Sequence, residues 1–185
     1  MQGILKLPLL NLIDEKIYKT EFNLFGDGLI GGTKKGGPQV DKKIRSVKLR
    51  PFDEEHIGVS VSNRVIFNEL KMATSQIEHI YREKISRFYF SSDNYFEFLY
   101  YNEKMDGHYS YHTDYMKTCP RALTILIGIN SKDEYTGGEL FVQNLEKPII
   151  LDKGDIVCFP SNFMYPHKVE KVTKGERKVV VIWTQ

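Results

Sequence analysis

Cysteine is scarce in this sequence, with two residues among 185. Neither Cys119 nor Cys158 has a second cysteine at the spacing of a CxxC motif. A disulfide framework or a cysteine-based zinc site is therefore not expected. We interpret both residues as buried or free thiols of a protein in a reducing compartment.

The chain also lacks long apolar runs and a strong charge of either sign. Its net charge of +2 does not indicate the strongly basic surface that is typical of proteins that bind nucleic acid. No stretch approaches the roughly 20 apolar residues of a membrane span, and Lys6 and Pro8 interrupt the apolar N-terminus, so no signal peptide is expected. We therefore expect neither nucleic acid nor membrane as a partner, and a cytoplasmic location. The oligomeric state is left open.

The two halves of the chain differ in character. Residues 1–90 are mixed, whereas residues 95–185 are rich in aromatic and β-branched residues. A chain of this length predicts a single domain, 1–185, with an N-terminal support region followed by the strand-rich part. In the support region, the glycine-rich segment 25–40 is interpreted as a loop. The alternating segment 44–50 predicts a strand with Val47 and Leu49 on one face.

A helical period follows in the support region. Apolar residues recur there at three- and four-residue steps, at Ile66, Leu70, Ala73, Ile77 and Ile80. This spacing predicts an amphipathic helix over 64–85, with Ser62 or Asn63 as its N-cap. We expect the helix to cover one face of a sheet.

Short strand-like runs dominate the C-terminal half, separated by Asp-Gly, Gly-Gly and Lys-Gly turn signals. The predicted strands are 95–101, 108–114, 121–130, 138–144, 147–151, 155–160, 165–172 and 176–184. Eight short strands with such turns predict a mainly β (α+β) fold whose core is a jelly roll, that is, a double-stranded β-helix.

One tripeptide, His112-Thr113-Asp114, carries two metal-ligand side chains two residues apart. In an extended strand both would point to the same face, with Cα atoms roughly 6.6 Å apart. A third ligand from a distant segment, His167, would complete two histidines and one carboxylate. That set leaves half of an octahedral ion open, as in non-haem iron oxygenases. Taken alone, the tripeptide is also compatible with an exposed pair at a strand end.

The remaining histidines fit such a site less well. His108 lies four residues before His112, which is roughly 13 Å away along a strand. His79 stands among charged residues of the predicted helix, and His56 also lies in the N-terminal half. We therefore expect none of these three to share the ion.

Arg177 follows His167 by ten residues, after a turn predicted at 173–175, and begins an apolar run that ends near Trp183. An arginine at the start of a buried strand needs an anion to meet, and its planar guanidinium suits a carboxylate. An arginine at an exposed strand end is an equally good interpretation.

These residues stand in the order of a known motif series. The chain resembles the iron- and 2-oxoglutarate-dependent dioxygenases, specifically their prolyl 4-hydroxylase-like branch, over roughly residues 95–185. The motifs that carry the resemblance are His112 and Asp114, Arg121 and Thr124, Gly137-Gly138-Glu139-Leu140, Gly154-Asp155 with Phe159-Pro160, His167 and Val169, Val172-Thr173-Lys174-Gly175-Glu176-Arg177, and Trp183.

The resemblance implies roles for four residues. His112, Asp114 and His167 would bind the catalytic Fe(II), and Arg177 would hold the distal carboxylate of 2-oxoglutarate. O2 would be the second cosubstrate, and ascorbate (vitamin C) an optional addition. The implied reaction hydroxylates a substrate C–H bond while 2-oxoglutarate is converted to succinate and CO2.

Two positions depart from the family pattern. A tyrosine that contacts the cosubstrate usually stands nine or ten residues before the first histidine, where this chain has Glu103 and Asn102. We assign the role to Tyr101, one residue further away. Some members carry a cosubstrate-binding tyrosine at the position of Gly128, and here Thr124 is expected to compensate.

The leading hypothesis for the substrate is a prolyl residue in a peptide or protein, with Arg121, Tyr109 and Tyr115 as contacts near the entrance. The alternatives are a free amino acid or other small molecule, and a metal-binding jelly-roll module without turnover. Nucleic-acid demethylation is disfavoured because the arginine run of that branch is missing after Arg177.

Two expectations concern the surroundings of the site. Apolar residues of the strand 121–130, namely Leu123, Ile125 and Ile127, are expected to line it and exclude water. The loop 102–107 or the glycine-rich segment 26–37 is expected to act as a lid.

Overall fold

The structure, a computed structural model, describes residues 4–31, 37–85, 87, 89–91, 93–115 and 120–185. Within this part of the chain there are two α-helices, α1 (Leu7–Ile13) and α2 (Val61–Lys84), and eleven strands. The strands are β1 (Gly26–Asp27), β2 (Arg45–Ser46), β3 (Lys48–Pro51), β4 (Tyr95–Asn102), β5 (His108–His112), β6 (Leu123–Gly128), β7 (Tyr135–Gly137), β8 (Leu140–Val142), β9 (Ile156–Pro160), β10 (His167–Val169) and β11 (Val172–Thr184).

The strands form two antiparallel sheets that face each other. The larger has seven strands in the order β1-β3-β4-β11-β6-β9, with β7 paired to β11. The smaller has the order β2-β5-β10-β8. This is the predicted jelly roll in a mainly β fold.

Helix α2 covers the outer face of the larger sheet, as its apolar period predicts. Ile66, Leu70 and Ile77 are fully buried in the cluster that joins helix and sheet. The helix begins three residues earlier than predicted because Ser60, not Ser62 or Asn63, is the N-cap. Its hydroxyl accepts a hydrogen bond from the backbone N–H of Asn63 at 3.3 Å.

A short helical segment before the first strand supports the same outer face. Helix α1 continues directly into a π-helical turn, Asp14–Thr20. Tyr18 of this turn is buried, and its hydroxyl donates to the backbone carbonyls of Val179 at 2.8 Å and Leu99 at 3.1 Å. The turn is therefore hydrogen-bonded to two neighbouring strands of the larger sheet, β11 and β4.

Alternate residues of the larger sheet belong to two different cores. On β11, Val180 and Ile182 pack in the helix-covered cluster, whereas Val179 and Val181 pack between the sheets. On β6, Ile125 and Ile127 also face the helices. The expectation that these two isoleucines line the site was therefore wrong. All six residues of β6 are buried, so its sequence carries no alternation that distinguishes the two faces.

One predicted strand and one predicted turn were also wrong. Residues 147–151 form only an isolated bridge, between Ile149 and Leu140. The turn predicted at 173–175 lies inside β11, which pairs there with β7. Gly175 has φ +73°, and a Cβ on it would stand 2.0 Å from the Glu134 carbonyl oxygen, so glycine permits this close approach of two strands. Arg177 is consequently an interior residue of β11 rather than its first.

The predicted strand at 44–50 is divided between the two sheets. β2 pairs with β5 in the smaller sheet, and β3 pairs with β4 in the larger. Val47, between them, is buried in the inner core together with the partly buried Leu49, as predicted. The support region thus contributes strands to both sheets, and we keep the single domain as our interpretation. No helix in the described residues is long and apolar enough to cross a membrane.

Two segments were expected to act as a lid, the glycine-rich segment 26–37 and the loop 102–107. The glycine-rich segment includes residues 32–36, which lie outside the described residues, as does Cys119. The loop 102–107 is tied down by hydrogen bonds. The Ser46 hydroxyl donates to the Met105 carbonyl at 2.6 Å, and the Gly175 N–H donates to the Glu103 carboxylate at 3.2 Å. These bonds disfavour a lid role for this loop.

Candidate metal centre

Strand pairing brings His112 and His167 side by side. They are direct partners in the antiparallel pair of β5 and β10, and their ring centroids are 4.2 Å apart. Asp114 lies two residues beyond the end of β5, with carboxylate oxygens 3.5 Å from the Nε2 atom of each histidine. One ligand atom from each of the three residues lies within 4.8 Å of the others. Three potential ligands from two remote segments therefore meet at one point.

Both imidazoles are oriented by the backbone. Nδ1 of His112 is 2.9 Å from the Ser110 carbonyl oxygen, and Nδ1 of His167 is 3.1 Å from the Tyr165 carbonyl oxygen. Because a carbonyl only accepts hydrogen bonds, each Nδ1 is assigned the proton. The Nε2 lone pairs are then directed at the cluster, which is the arrangement that metal-binding histidines need.

The charges of the cluster suit a divalent cation. Burial by itself would raise the pKa of Asp114, but while the two imidazole rings are protonated, a hydrogen bond from His112 and the charge of His167 outweigh burial and hold the pKa well below its usual value. Burial lowers the pKa of His167, with a smaller opposing effect of Asp114. An ionised carboxylate and a neutral imidazole are the protonation states in which these groups bind metal.

His112, Asp114 and His167 line a pocket between the two sheets, and Arg177 lines the same pocket. Arg177 is only 2% exposed. In the described part of the chain no carboxylate oxygen lies within 4.0 Å of its guanidinium, and its Nε has no hydrogen-bond partner. A buried cation without a counter-ion is costly. The pocket therefore favours an anionic ligand beside the three potential metal ligands.

Tyr101 is the cross-strand partner of Arg177 and lines the pocket, with the guanidinium carbon 5.2 Å from its ring centroid. The residues at the usual family spacing have other partners. The Asn102 side chain bonds the Tyr100 hydroxyl and the Met105 N–H, and Glu103 belongs to a short 3-10 turn. The position of Tyr101 is thus compatible with the cosubstrate role predicted for it.

A second tyrosine near Arg177, Tyr135, was not predicted. A Cβ placed on Gly138 would stand 2.8 Å from Cδ of Arg177 and 3.6 Å from Cε2 of Tyr135. The Tyr135 hydroxyl donates to the Leu151 carbonyl at 2.6 Å. A Cβ on Gly128 would stand 2.2 Å from the Asp152 carbonyl oxygen, so no side chain fits there. The Tyr135 hydroxyl also interacts with the Arg177 side chain, so Tyr135 supplies an aromatic hydroxyl near Arg177, whereas no side chain can do so from position 128.

Thr124 lines the pocket, but its hydroxyl is already bonded. It donates to Oδ2 of Asp114 at 2.7 Å and lies 2.8 Å from the Ser161 hydroxyl. A contact between Thr124 and the cosubstrate stays a prediction, and the structure shows a contact with the metal cluster instead.

The predicted substrate contacts lie beside the cluster. The Tyr109 ring stacks on His112 with 3.5 Å between centroids. Arg121 lies over the Trp183 ring at 3.7 Å and donates to the Asp114 carbonyl at 3.3 Å. Tyr115 directly follows Asp114 and is exposed. Their substrate role stays a prediction.

Sequence reasoning missed two charged residues next to these contacts. Arg45 pairs with Tyr109 in register and covers its ring at 4.6 Å. Glu97 lies 3.9 Å from Arg45. Burial raises the pKa of Glu97, although Arg45 and Arg121 oppose the shift. Glu97 could have been noticed as a carboxylate in an apolar strand, four residues before Tyr101 and hence on the same face. Nothing in the sequence around Arg45 pointed to this site.

The other histidines lie outside the cluster. The His108 ring contacts the backbone carbonyls of Asp106 and Lys43, His56 pairs with Asp53, and His79 is exposed. Of the described residues, only His112, Asp114 and His167 form a group of three potential metal ligands.

Sequence comparison connects the strand-rich half to known proteins. Residues 96–185 match the model of the 2OG-Fe(II) oxygenase superfamily. A PKHD-type hydroxylase of Prochlorococcus marinus strain MIT 9515 is 27% identical over 189 residues, which cover 99% of this chain and 78% of that protein. A PKHD-type hydroxylase of strain MIT 9211 is 41% identical over 81 residues, which cover 42% of this chain and only 36% of the relative.

Comparison with solved structures shows the same fold. A prolyl hydroxylase from Trichoplax adhaerens has a TM-score of 0.76 at 16% identity, covering 100% of this chain and 81% of its own. A Pseudomonas putida prolyl-4-hydroxylase has a TM-score of 0.74 at 18% identity, with coverages of 100% and 90%. At these identities the structural likeness shows the fold alone.

Proposed function

Since residues 96–185 match the model of the 2OG-Fe(II) oxygenase superfamily, we propose that this chain is an Fe(II)- and 2-oxoglutarate-dependent dioxygenase that hydroxylates a prolyl residue of a peptide or protein. One observation carries the proposal. His112, Asp114 and His167 converge in the pocket where the buried Arg177 lacks a carboxylate partner among the described residues.

The donor set fits Fe(II). Two neutral imidazoles and one carboxylate leave coordination positions open for a cosubstrate and O2. Arg177 suits a terminal carboxylate, which its planar guanidinium can bind in bidentate fashion. Tyr101, its neighbour, is placed to contact the same ligand.

When bound, Fe(II) and 2-oxoglutarate supply the oxidising chemistry: one atom of O2 enters the substrate as a hydroxyl group and the other enters succinate, with release of CO2. The protein binds, orients and protects these reactants. The pocket that contains the potential metal ligands and Arg177 is also lined by Leu126, Leu140, Val169 and Val181. These apolar side chains exclude water from the reacting groups.

A peptide substrate is supported by unpaired polar atoms beside the metal cluster. Nε of Arg45, Nε of Arg121 and Oε2 of Glu97 are buried and have no hydrogen-bond partner. Buried polar groups normally have partners, so a ligand is expected to supply them. A peptide backbone offers both carbonyl acceptors for the arginines and N–H donors for the carboxylate.

The surface around the cluster also favours an extended substrate. Tyr111 and Tyr115 flank His112 and Asp114 and are exposed, and Phe163 and Met164, shortly before His167, are exposed as well. Exposed aromatic and apolar side chains are typical of interaction surfaces. The Trichoplax relative is named as a complex with a peptide fragment, which supports the same class of substrate.

The cofactor part of the proposal is tested by anaerobic addition of Fe(II) and 2-oxoglutarate. A visible charge-transfer band is expected with the wild-type protein, and its loss in Asp114→Ala. His108→Gln is the matched control because its ring lies outside the cluster, and it should keep the band. A wild-type protein without the band would instead favour a jelly-roll module that does not turn over.

The substrate part is tested by succinate formation with proline-containing peptides, free proline and other free amino acids, with ascorbate present. Peptides should stimulate succinate formation and gain one oxygen by mass analysis, located on proline by fragmentation. Turnover confined to a free amino acid would replace the peptide proposal with a small-molecule hydroxylase and leave the cofactor assignment intact.

A further inference from the structure

Two hydroxyl groups lie directly behind the carboxylate of Asp114. Oγ1 of Thr124 is 2.7 Å from Oδ2 of Asp114, and Oγ of Ser161 is 2.8 Å from Oγ1 of Thr124. Thr124 is 0% exposed and Ser161 is 1% exposed. Solvent therefore does not compete for these hydrogen bonds, and each hydroxyl depends on its protein neighbours.

The chemistry of the two hydroxyls and the carboxylate fixes the direction of the hydrogen bonds among them. An ionised carboxylate only accepts hydrogen bonds, so Thr124 must be the donor to Asp114. Thr124 has a single hydroxyl proton, which leaves Ser161 as the donor to Thr124. The order is Ser161 to Thr124 to Asp114, and each donor polarises the next.

Asp114 needs such support more than the two histidines do. His112 and His167 stand on paired strands, with each Nδ1 held by a backbone carbonyl. Asp114 lies beyond the end of β5, where no strand pairing holds it. Thr124 and Ser161 stand on β6 and at the end of β9, and the Ser161 N–H donates to the Ala122 carbonyl at 3.0 Å. The triad residue that lies outside the strands is thus held from the larger sheet.

We infer that Thr124 and Ser161 are positioning residues of the metal centre, an inference that rests on the proposed function. They hold the Asp114 carboxylate at Oδ2 and leave Oδ1 as its metal-ligand atom. The nearest Arg121 nitrogen to Oδ1 is 4.0 Å away, beyond hydrogen-bond distance, so Arg121 does not occupy this oxygen. Ser161 acts only through Thr124.

The test is a titration with Mn²⁺, followed by the EPR signal of the free ion, which requires no turnover. The variants are Thr124→Val, Thr124→Ser, Ser161→Ala and the double variant Thr124→Val/Ser161→Ala. Thr74→Val is the matched control, because Thr74 is fully buried with its hydroxyl bonded within α2. Thermal unfolding without metal checks that each variant is folded.

Loss of a hydrogen-bonding residue behind a metal ligand should lower the Mn²⁺ affinity of Thr124→Val about 10- to 100-fold. Thr124→Ser should stay near wild type because it keeps the hydroxyl. Ser161→Ala should lower the affinity by roughly two- to tenfold, the equivalent of one hydrogen bond. In the Thr124→Val background Ser161→Ala should have no further effect, which a purely structural role would not produce.

Two results would overturn the inference: Mn²⁺ affinity in Thr124→Val equal to that of Thr74→Val, or additive effects of the two substitutions. If Thr124→Val does not fold, Ser161→Ala is compared in the wild-type and Thr124→Ser backgrounds. A Mn²⁺ affinity that Ser161→Ala leaves unchanged in both backgrounds overturns the inference. A wild-type protein that binds no Mn²⁺ would overturn the metal site of the proposed function itself. Normal wild-type binding with unaffected variants would remove only the positioning role.

Discussion

Two arginines, one on each face of the larger sheet, are equally buried and have opposite surroundings. Arg50, on the helix-covered face, is 2% exposed and lies 2.6 Å from the carboxylate of Glu21. Arg177, between the sheets, is also 2% exposed and has no carboxylate within 4.0 Å in the described residues. Burial alone therefore does not distinguish an arginine in a structural ion pair from one that, as we propose for Arg177, binds a ligand. The presence of a counter-ion does distinguish them.

The largest expected contrast comes from replacing each arginine by methionine. Arg177→Met should weaken 2-oxoglutarate binding by at least about 30-fold, since truncating one partner of a buried charge pair costs 2–5 kcal/mol. It should leave the free energy of unfolding unchanged or raise it, because an unpaired buried cation is removed. Arg50→Met should lower that free energy by about 2–4 kcal/mol, because Glu21 loses its partner, and leave binding unchanged.

The measurement combines urea unfolding with a 2-oxoglutarate titration in the presence of Mn²⁺. Trp183 is the only tryptophan and lines the pocket, so its fluorescence reports occupancy. If Arg177→Met lost stability and Arg50→Met lost binding, the two assignments would have to be exchanged.

The acid dependence of stability should also differ between the two faces. Burial alone would raise the pKa of Glu21, but the hydrogen bonds to Lys16, Arg50 and Asn63 outweigh it and lower the pKa from its ordinary 4.5. A lowered carboxyl pKa stabilises the folded state above the unfolded-state pKa. This contribution disappears as the pH falls from about 4.5 through the folded-state pKa.

Glu21→Gln should therefore be less stable than wild type at pH 6, with the difference shrinking as the pH is lowered below 4.5. Unfolding free energies at a series of pH values check this. Glu15→Gln, which alters an exposed glutamate of the preceding π-helical turn, is the control and should follow the wild-type curve. A pH-independent difference for Glu21→Gln would refute the electrostatic account of this network.

The smallest expected effects come from two buried tyrosine hydroxyls. Tyr135→Phe removes the hydroxyl near Arg177 and should weaken 2-oxoglutarate binding by roughly two- to tenfold, the equivalent of one hydrogen bond. Tyr18→Phe removes a hydroxyl that bonds Leu99 and Val179 on the helix-covered face. It should cost about 1 kcal/mol of stability and leave binding unchanged. The same titration and urea unfolding measure both, and equal binding by Tyr135→Phe and wild type would argue against a role at Arg177.

Local patterns account for what was predicted correctly. The apolar period of α2 identified its buried face, and only its cap was misplaced, because Ser60, Ser62 and Asn63 are all plausible capping residues. The ordered motifs singled out the three potential metal ligands that the structure brings together, and Arg177 in the same pocket, since side-chain chemistry restricts which residues can bind metal or a carboxylate. Their functional roles stay predictions.

Long-range pairing explains the errors. β6 is buried on both faces, so its sequence does not reveal that Thr124 and Leu126, not Ile125 and Ile127, face the pocket. Arg45 reaches the site only because β2 pairs with β5, and Tyr135 approaches Arg177 only because β7 pairs with β11. Neither partner strand can be identified from the short segments themselves.

The sequence by itself determined the fold class and the candidate metal-ligand residues, because strand periodicity and donor atoms are local properties of the chain. Only the tertiary structure decided that His112 and His167 are cross-strand partners, that Thr124 is bonded to Asp114, and that Arg177 has no counter-ion among the described residues. The physical reason is that register and burial depend on packing between distant segments, so the same side chain is structural or functional according to what lies opposite it.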